Sequence, residues 1–277
     1  MKHMYGLLVL TLLTLGCASG MKPKNSTDTA RKLPTSLEEA IGSSYRTAAN
    51  RERDLYRHPR ETLAFFNIRP DMTVVEISPG SGWYMEILAP YLATKGKYYG
   101  ALPPAGNAYM ADLKNKVLDW QTRYPEVGAK MTLTSLNPAQ KEEIAPANSA
   151  DMVLTFRNVH NWMTNGFAQA AFDSFFKALK PGGVLGVVEH RSDHNMIDPK
   201  AKSGYVRESD VIAFAEKAGF RLVDESEINS NPLDTKNYPE GVWTLPPTLK
   251  LGEKDKDKYL KIGESDRMTL RFSKPKL

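Results

Sequence analysis

The stretch Val74-Val-Glu-Ile-Ser-Pro-Gly-Ser-Gly82 constrains this chain more than any other. Its β-branched apolar run reads as a strand buried on both faces. Pro-Gly-Ser-Gly must then turn it sharply into Trp83 to Leu92, which reads as a helix. The alternation repeats: Gly96 to Leu102 reads as a strand, Ala108 to Arg123 as a helix, Lys130 to Leu136 and Ala150 to Phe156 as strands. Gly166 to Leu179 reads as a helix, Lys180-Pro-Gly-Gly183 as a turn into the strand Val184 to Glu189, and Glu208 to Ala218 as a helix stopped by Gly219. Phe220 to Ile228 and Met268 to Phe272 supply two closing strands with no convincing crossover helix between them, so an antiparallel ending is expected. The pattern predicts an α/β fold, a doubly wound, mainly parallel seven-stranded sheet with helices on both faces. Its ligand sites are expected at the carboxyl ends of the strands.

Helices precede the sheet. Ser36-Leu-Glu-Glu39 is a capping box opening a helix expected to run toward Asn50, and Pro59 suits the first position of a second helix with Leu63 and Phe66 on its apolar face. The basic cluster Arg51 to Arg60 alternates with Glu52 and Asp54 and reads as solvated helix surface. With no aromatic-interleaved basic stripe, no nucleic acid is expected as a partner. Asn229 to Lys261 is a long connection expected to fold over the strand ends, with Trp243 either lining a pocket or anchoring the loop. The charge run Glu253 to Lys258 reads as a solvated turn.

The amino terminus reads as an address. Lys2 and His3 are followed by the apolar run Leu7 to Leu15, then Gly16 and Cys17, the one cysteine among 277 residues. That run falls short of the roughly 20 residues a spanning helix needs, and a lone cysteine rules out a disulfide framework. A small residue directly before Cys17 resembles the lipobox of bacterial lipoproteins, in which the cysteine becomes the lipidated first residue. Ala18 rather than an acid after it implies the outer membrane. The alternative is an ordinary signal peptide cut after Ala18 or Ser19. The organisation expected is a signal peptide over 1–17, a flexible tether over 18–35 rich in Ser, Thr, Lys, Pro and Gly, and one domain over 36–277. The protein is thus expected to be exported, facing the periplasm on a lipid anchor, otherwise soluble and secreted, with no protein partner predicted. Its net charge of +5, about +4 without the leader, is spread among nearly as many acids.

The strand order and the glycine turn resemble class I methyltransferases that use S-adenosylmethionine, over roughly Met72 to Phe272. In that family an acid precedes alternating glycines; here the acid is Glu76, Ser78 replaces the first glycine, and Gly80 and Gly82 supply the others. Small residues let the backbone approach a ligand, and the helix amino terminus beyond favours a carboxylate. A tight strand-to-helix turn of another α/β fold would look the same locally. Lys180-Pro-Gly-Gly183 matches the turn before the family's fifth strand. Phe65-Phe-Asn-Ile-Arg-Pro70, Arg157-Asn-Val-His160 and His190-Arg191 resemble a group of predicted exported methyltransferases. The resemblance implies S-adenosylmethionine as cofactor and a small-molecule substrate, with Glu76, Ser78, Gly80, Gly82, Leu102, Asn137, Arg157 and Asn158 as candidate cofactor-binding residues. Leu102 and Asn137 stand where the family has acids for ribose and adenine.

His160, Glu189 and His190 are the candidate catalytic residues, after the fourth strand and at the end of the fifth. His160 can take a proton from an acceptor hydroxyl or amine because imidazole titrates near neutral pH, and His190 can orient it or touch substrate. The bland alternative is a hydrogen-bonded histidine buttressing the loop of Trp162. A metal site drawing on His160, His190 and His194 is not expected, since nothing in the sequence fixes them on one face. The function expected is methyl transfer to a small acceptor. The alternatives are a non-catalytic periplasmic lipoprotein using the same cleft to bind a small ligand, and, less favoured, a hydrolase built around His160, Glu189 and His190.

Overall fold

In the computed structural model, which describes Met1 and residues 31–276 other than 105 and 141, the apolar run after Met72 is a strand, β1 (Thr73–Ile77). Cys17, the leader and most of the expected tether lie outside the described residues. Six further strands follow: β2 (Lys97–Leu102), β3 (Met131–Ser135), β4 (Ala150–Phe156), β5 (Leu179–His190), β6 (Arg221–Ser226) and β7 (Arg267–Ser273). They form one sheet in the order β3-β2-β1-β4-β5-β7-β6. The first five strands are parallel, and β7 enters antiparallel to both β5 and β6. The predicted fold class is therefore the observed one. No helix among the described residues is long and apolar enough to cross a membrane.

Alternation along β1 explains the two layers. Val74 points to the side covered by the helices Met85–Leu92 and Ala108–Arg123. Val75 and Ile77 point to the side covered by Ala168–Ala178 and Glu208–Ala218. Phe172 and Phe175 of the second side are fully buried and brace Trp162 at ring distances of 6.3 and 5.4 Å. Phe66 crosses from the amino-terminal segment onto β5. A Cβ on Gly186 would meet Phe66 at 2.9 Å and Leu154 at 2.7 Å, so only glycine lets that ring lie flat on the sheet. Burying a phenylalanine this completely contributes about 1.5–3 kcal/mol.

Four local expectations are corrected. The helix opened by Ser36 ends at Ile41, because Gly42 and the serines after it break it and Thr47 caps a fresh turn. The amino-terminal region is thus a chain of short helices, Leu37–Ile41, Ala48–Arg51, Asp54–Arg57 and Pro59–Phe65. Trp83 lies before its helix rather than in it, with its Nε1 donating to the Asn50 carbonyl at 2.8 Å. Lys180-Pro-Gly-Gly183 is an irregularity within β5, not a separate turn: the β4–β5 register shifts across it, while Gly182 and Gly183 exchange backbone hydrogen bonds with Lys274 at 2.8 and 2.9 Å. The charge run after Glu253 is only half a turn, since Lys256 opens the helix Lys256–Ile262. At the other boundary, Leu33 already packs on the core and the compact unit begins there.

Candidate active site

The strand ends carry the site. Past Ile77 the backbone swings through Ser78 (φ 48°), Gly80 (φ 63°) and Gly82 (φ 92°), with the Ser78 amide donating to the Ala101 carbonyl of β2 at 2.8 Å. A left-handed serine is strained, whereas the glycines take that conformation freely. A Cβ built on Gly80 meets only the Ser78 carbonyl oxygen, at 4.0 Å, so this face of the turn opens onto free space where a ligand backbone or carboxylate would lie. On that observation the turn has room for the amino-acid tail of a ligand such as S-adenosylmethionine. Leu102 and Asn137 stand side by side at the ends of β2 and β3, where the Leu136 amide donates to the Leu102 carbonyl at 2.9 Å. Asn158 reaches back from β4, its amide donating to the Ile77 carbonyl at 3.1 Å and to Thr155 Oγ1 at 3.2 Å. It fixes the exit of β1 and thereby the glycine turn.

Glu76 is buried on β1 and accepts a hydrogen bond from the Tyr98 hydroxyl at 2.7 Å. Burial raises its carboxyl to about 8, only partly offset by that bond.

On the neighbouring rim the structure brings all three candidate catalytic residues together. Glu189, fully buried at the end of β5, accepts from His160 Nδ1 at 3.1 Å, from the His160 amide at 3.3 Å and from the His190 amide at 2.8 Å. A carboxylate on Nδ1 puts the proton there and leaves Nε2 with its lone pair. The group that orients His160 is therefore Glu189, whereas His190 Nδ1 is engaged with Ser265 Oγ at 2.5 Å. Burial, with positive charge from His160, Arg157, Arg267 and Arg57, holds His190 well below the usual histidine range. His160 sits in the short helix Val159–Thr164, which the sequence did not announce, and Trp162 on the same helix points away toward Phe175. Trp243 of the long connection stands edge-on to His160 at 6.0 Å, so that loop does fold over the strand ends.

One ligating atom each of His160, Glu189 and His190 lies within 4.8 Å of the others, a spacing compatible with a metal ion. His194 is exposed and outside this group.

Sequence reasoning missed the charges behind the rim. The cluster around Arg51 to Arg60 is not uniformly solvated surface: Arg57 is 1% exposed, and both Arg53 and Arg57 turn inward to Glu264. Arg57 also lies over the Trp83 ring at 4.8 Å. An arginine two residues before Pro59 carries no periodic mark of burial, and its partner is more than 200 positions away.

No protein-family model and no curated protein matches the chain. Solved structures do. An S-adenosylmethionine-dependent methyltransferase from Aquifex aeolicus is 16% identical with a TM-score of 0.52, over 80% of this chain and 93% of its own. Phosphoethanolamine N-methyltransferase 2 of Haemonchus contortus, solved with S-adenosyl-L-methionine, is 15% identical with a TM-score of 0.53, over 88% of this chain and 61% of its own. The [4+2]-cyclase SpnF is 15% identical with a TM-score of 0.51, over 87% and 92%. The chain has the class I, Rossmann-like methyltransferase fold. A cyclase on the same fold means that the site, not the fold, must argue the reaction.

Proposed function

We propose that this protein transfers a methyl group from S-adenosylmethionine to a small-molecule acceptor. The observation that carries the reading is the open left-handed turn at Gly80, set at the end of β1 beside a rim that holds His160 on Glu189. Ser78, Gly80 and Gly82 would hold the amino-acid tail of the cofactor, and Leu102 and Asn137 would flank its nucleoside. Bound there, the cofactor would supply an activated methyl group for in-line transfer to the acceptor's nucleophile, with a neutral thioether as the leaving group.

The chain's own contribution is to orient, to exclude water and to move one proton. Glu189 fixes the His160 ring with Nε2 free to take the proton of an acceptor hydroxyl or amine. Trp243 covers His160 from the long connection and limits water there. The amino-terminal sequence supports a further part of the proposal, that the enzyme is exported and held at the outer membrane through Cys17, facing the periplasm.

The test is calorimetric titration of the full chain with S-adenosylmethionine and with S-adenosylhomocysteine. Micromolar binding, about −8 kcal/mol, is expected. The His160→Ala variant should then bind as well and turn over far more slowly. No heat at millimolar ligand would overturn the reading and return the cleft to a binding role for some other small molecule.

A further inference from the structure

Behind the rim, three guanidinium groups share one carboxylate and a fourth, that of Arg157, lies close enough to act on its charge. Glu264 Oε1 accepts from Arg53 Nε at 2.6 Å, and its Oε2 lies 3.3 Å from Arg57 Nε and 3.2 Å from Arg267 Nη1. Burial alone would push the Glu264 carboxyl up, but Arg57, Arg267, Arg53 and Arg157 bring it down to about 2. Arg157, half-buried at the end of β4, makes no ion pair among the described residues. Arg57 Nη1 and Arg53 Nη2 are buried with no hydrogen-bond partner, and the Arg57 side chain as a whole is enclosed.

Guanidinium does not shed its proton in a protein. A buried cluster carrying several positive charges against one negative charge is costly, and unsatisfied donors add to the cost. The arrangement is suited to negative charge. It adjoins the reacting rim directly: Arg267 faces His190 across the β5–β7 ladder, and the His190 ring is 5.5 Å from that of His160. Arg157 and His190 are the partly exposed members through which a ligand would meet it. The same charges work against a cation in the nearby His160–Glu189–His190 group.

We propose that this cluster binds an anionic group, a carboxylate or a phosphate, of the small molecule that enters the cleft, with the partly exposed Arg157 as the donor that meets it and Arg57 and Arg267 as the positive charge behind it. The proposal rests on the methyl-transfer reading only in making that molecule the methyl acceptor. A planar carboxylate can take two parallel guanidinium bonds and a phosphate can take three donors at once, so both belong to the chemistry recognised here.

The experiment uses the full chain, titrated with inorganic phosphate and separately with acetate, against sodium chloride at constant ionic strength, reading thermal unfolding and heat of binding. Saturable stabilisation by phosphate, acetate or both, with none from chloride, is expected, and the stronger of the two names the group. Arg157→Gln should weaken that binding about tenfold, the loss of one charge-assisted bond. Glu264→Gln, which removes the one carboxylate of the cluster, should lower stability without anion and enlarge the gain from phosphate. No saturable effect of either anion on the unaltered protein overturns the proposal, as does unchanged affinity in Arg157→Gln. S-adenosylmethionine is titrated alongside. Its binding without any anion effect overturns this proposal and spares methyl transfer, and an anion effect without its binding does the reverse.

Discussion

Glu76 and Glu189 show how differently two buried carboxyls of one sheet behave. Glu189 receives three N–H groups and serves as an anchor for His160, whereas Glu76 has one hydroxyl for company and is raised to about 8. The unfolded Glu76 titrates in the ordinary range near 4.5, so between about pH 5 and pH 8 the folded protein holds a proton that the unfolded chain has lost. Stability contributed by this residue is therefore present at low pH and lost as pH rises through that window, with a limiting slope of about 1.4 kcal/mol per pH unit. Glu76→Gln keeps a neutral group that can accept from Tyr98, and should flatten the decline. Urea unfolding at several pH values between 5.5 and 8 measures it, and an unchanged slope would mean that Glu76 does not hold the proton. The position of Glu76 was legible from its place before the glycine turn. Its partner Tyr98 was not, because the contact runs between strands 22 residues apart.

Among the elements, alternation of apolar strands and helices was readable almost throughout: Ala108–Arg123 and Glu208–Ala218 have the bounds read from the sequence, the second stopped at Gly219. What failed was short structure. Helices of four to seven residues between Ser36 and Phe66 carry too few turns for periodicity to separate them, and their burial is decided by distant partners such as Glu86, which accepts from Thr47 and Asn50 at 2.9 Å. Of the candidate site, the glycine turn and the trio of His160, Glu189 and His190 were legible as motifs, while the arginines behind them depended on three elements meeting. The turn makes its own prediction. Gly80→Val places a branched side chain in the open face and forces a φ of 63° on a residue that resists it, at a cost of about 1–2 kcal/mol. S-adenosylmethionine affinity should fall more than about tenfold. Gly80→Ala bears similar backbone strain with less bulk and should fall less, so the pair separates obstruction from strain by titration. Equal affinity in Gly80→Val and the unaltered chain would show that nothing occupies that face.

For the molecule as a whole, the proposed lipid anchor at Cys17 would tether a domain with the class I methyltransferase fold. Replacing Cys17 with Ala should abolish metabolic labelling by fatty acid and release the protein from the membrane fraction; identical fractionation of the two forms would dismiss the anchor. The topology sets the order in which the sheet can close. Among the described residues β6 pairs only with β7, and β7, which comes after the connection 227–266, is the strand that slots between β5 and β6. In amino-to-carboxyl order β6 has no neighbour in the sheet until residues 267–273 have followed it. Glu264 and Arg267, which tie the amino-terminal helices to the rim, arrive with them. The segment 267–273 thus closes both sheet and rim, and if the protein is exported amino end first, as proposed, the sheet would be completed only once that segment had followed.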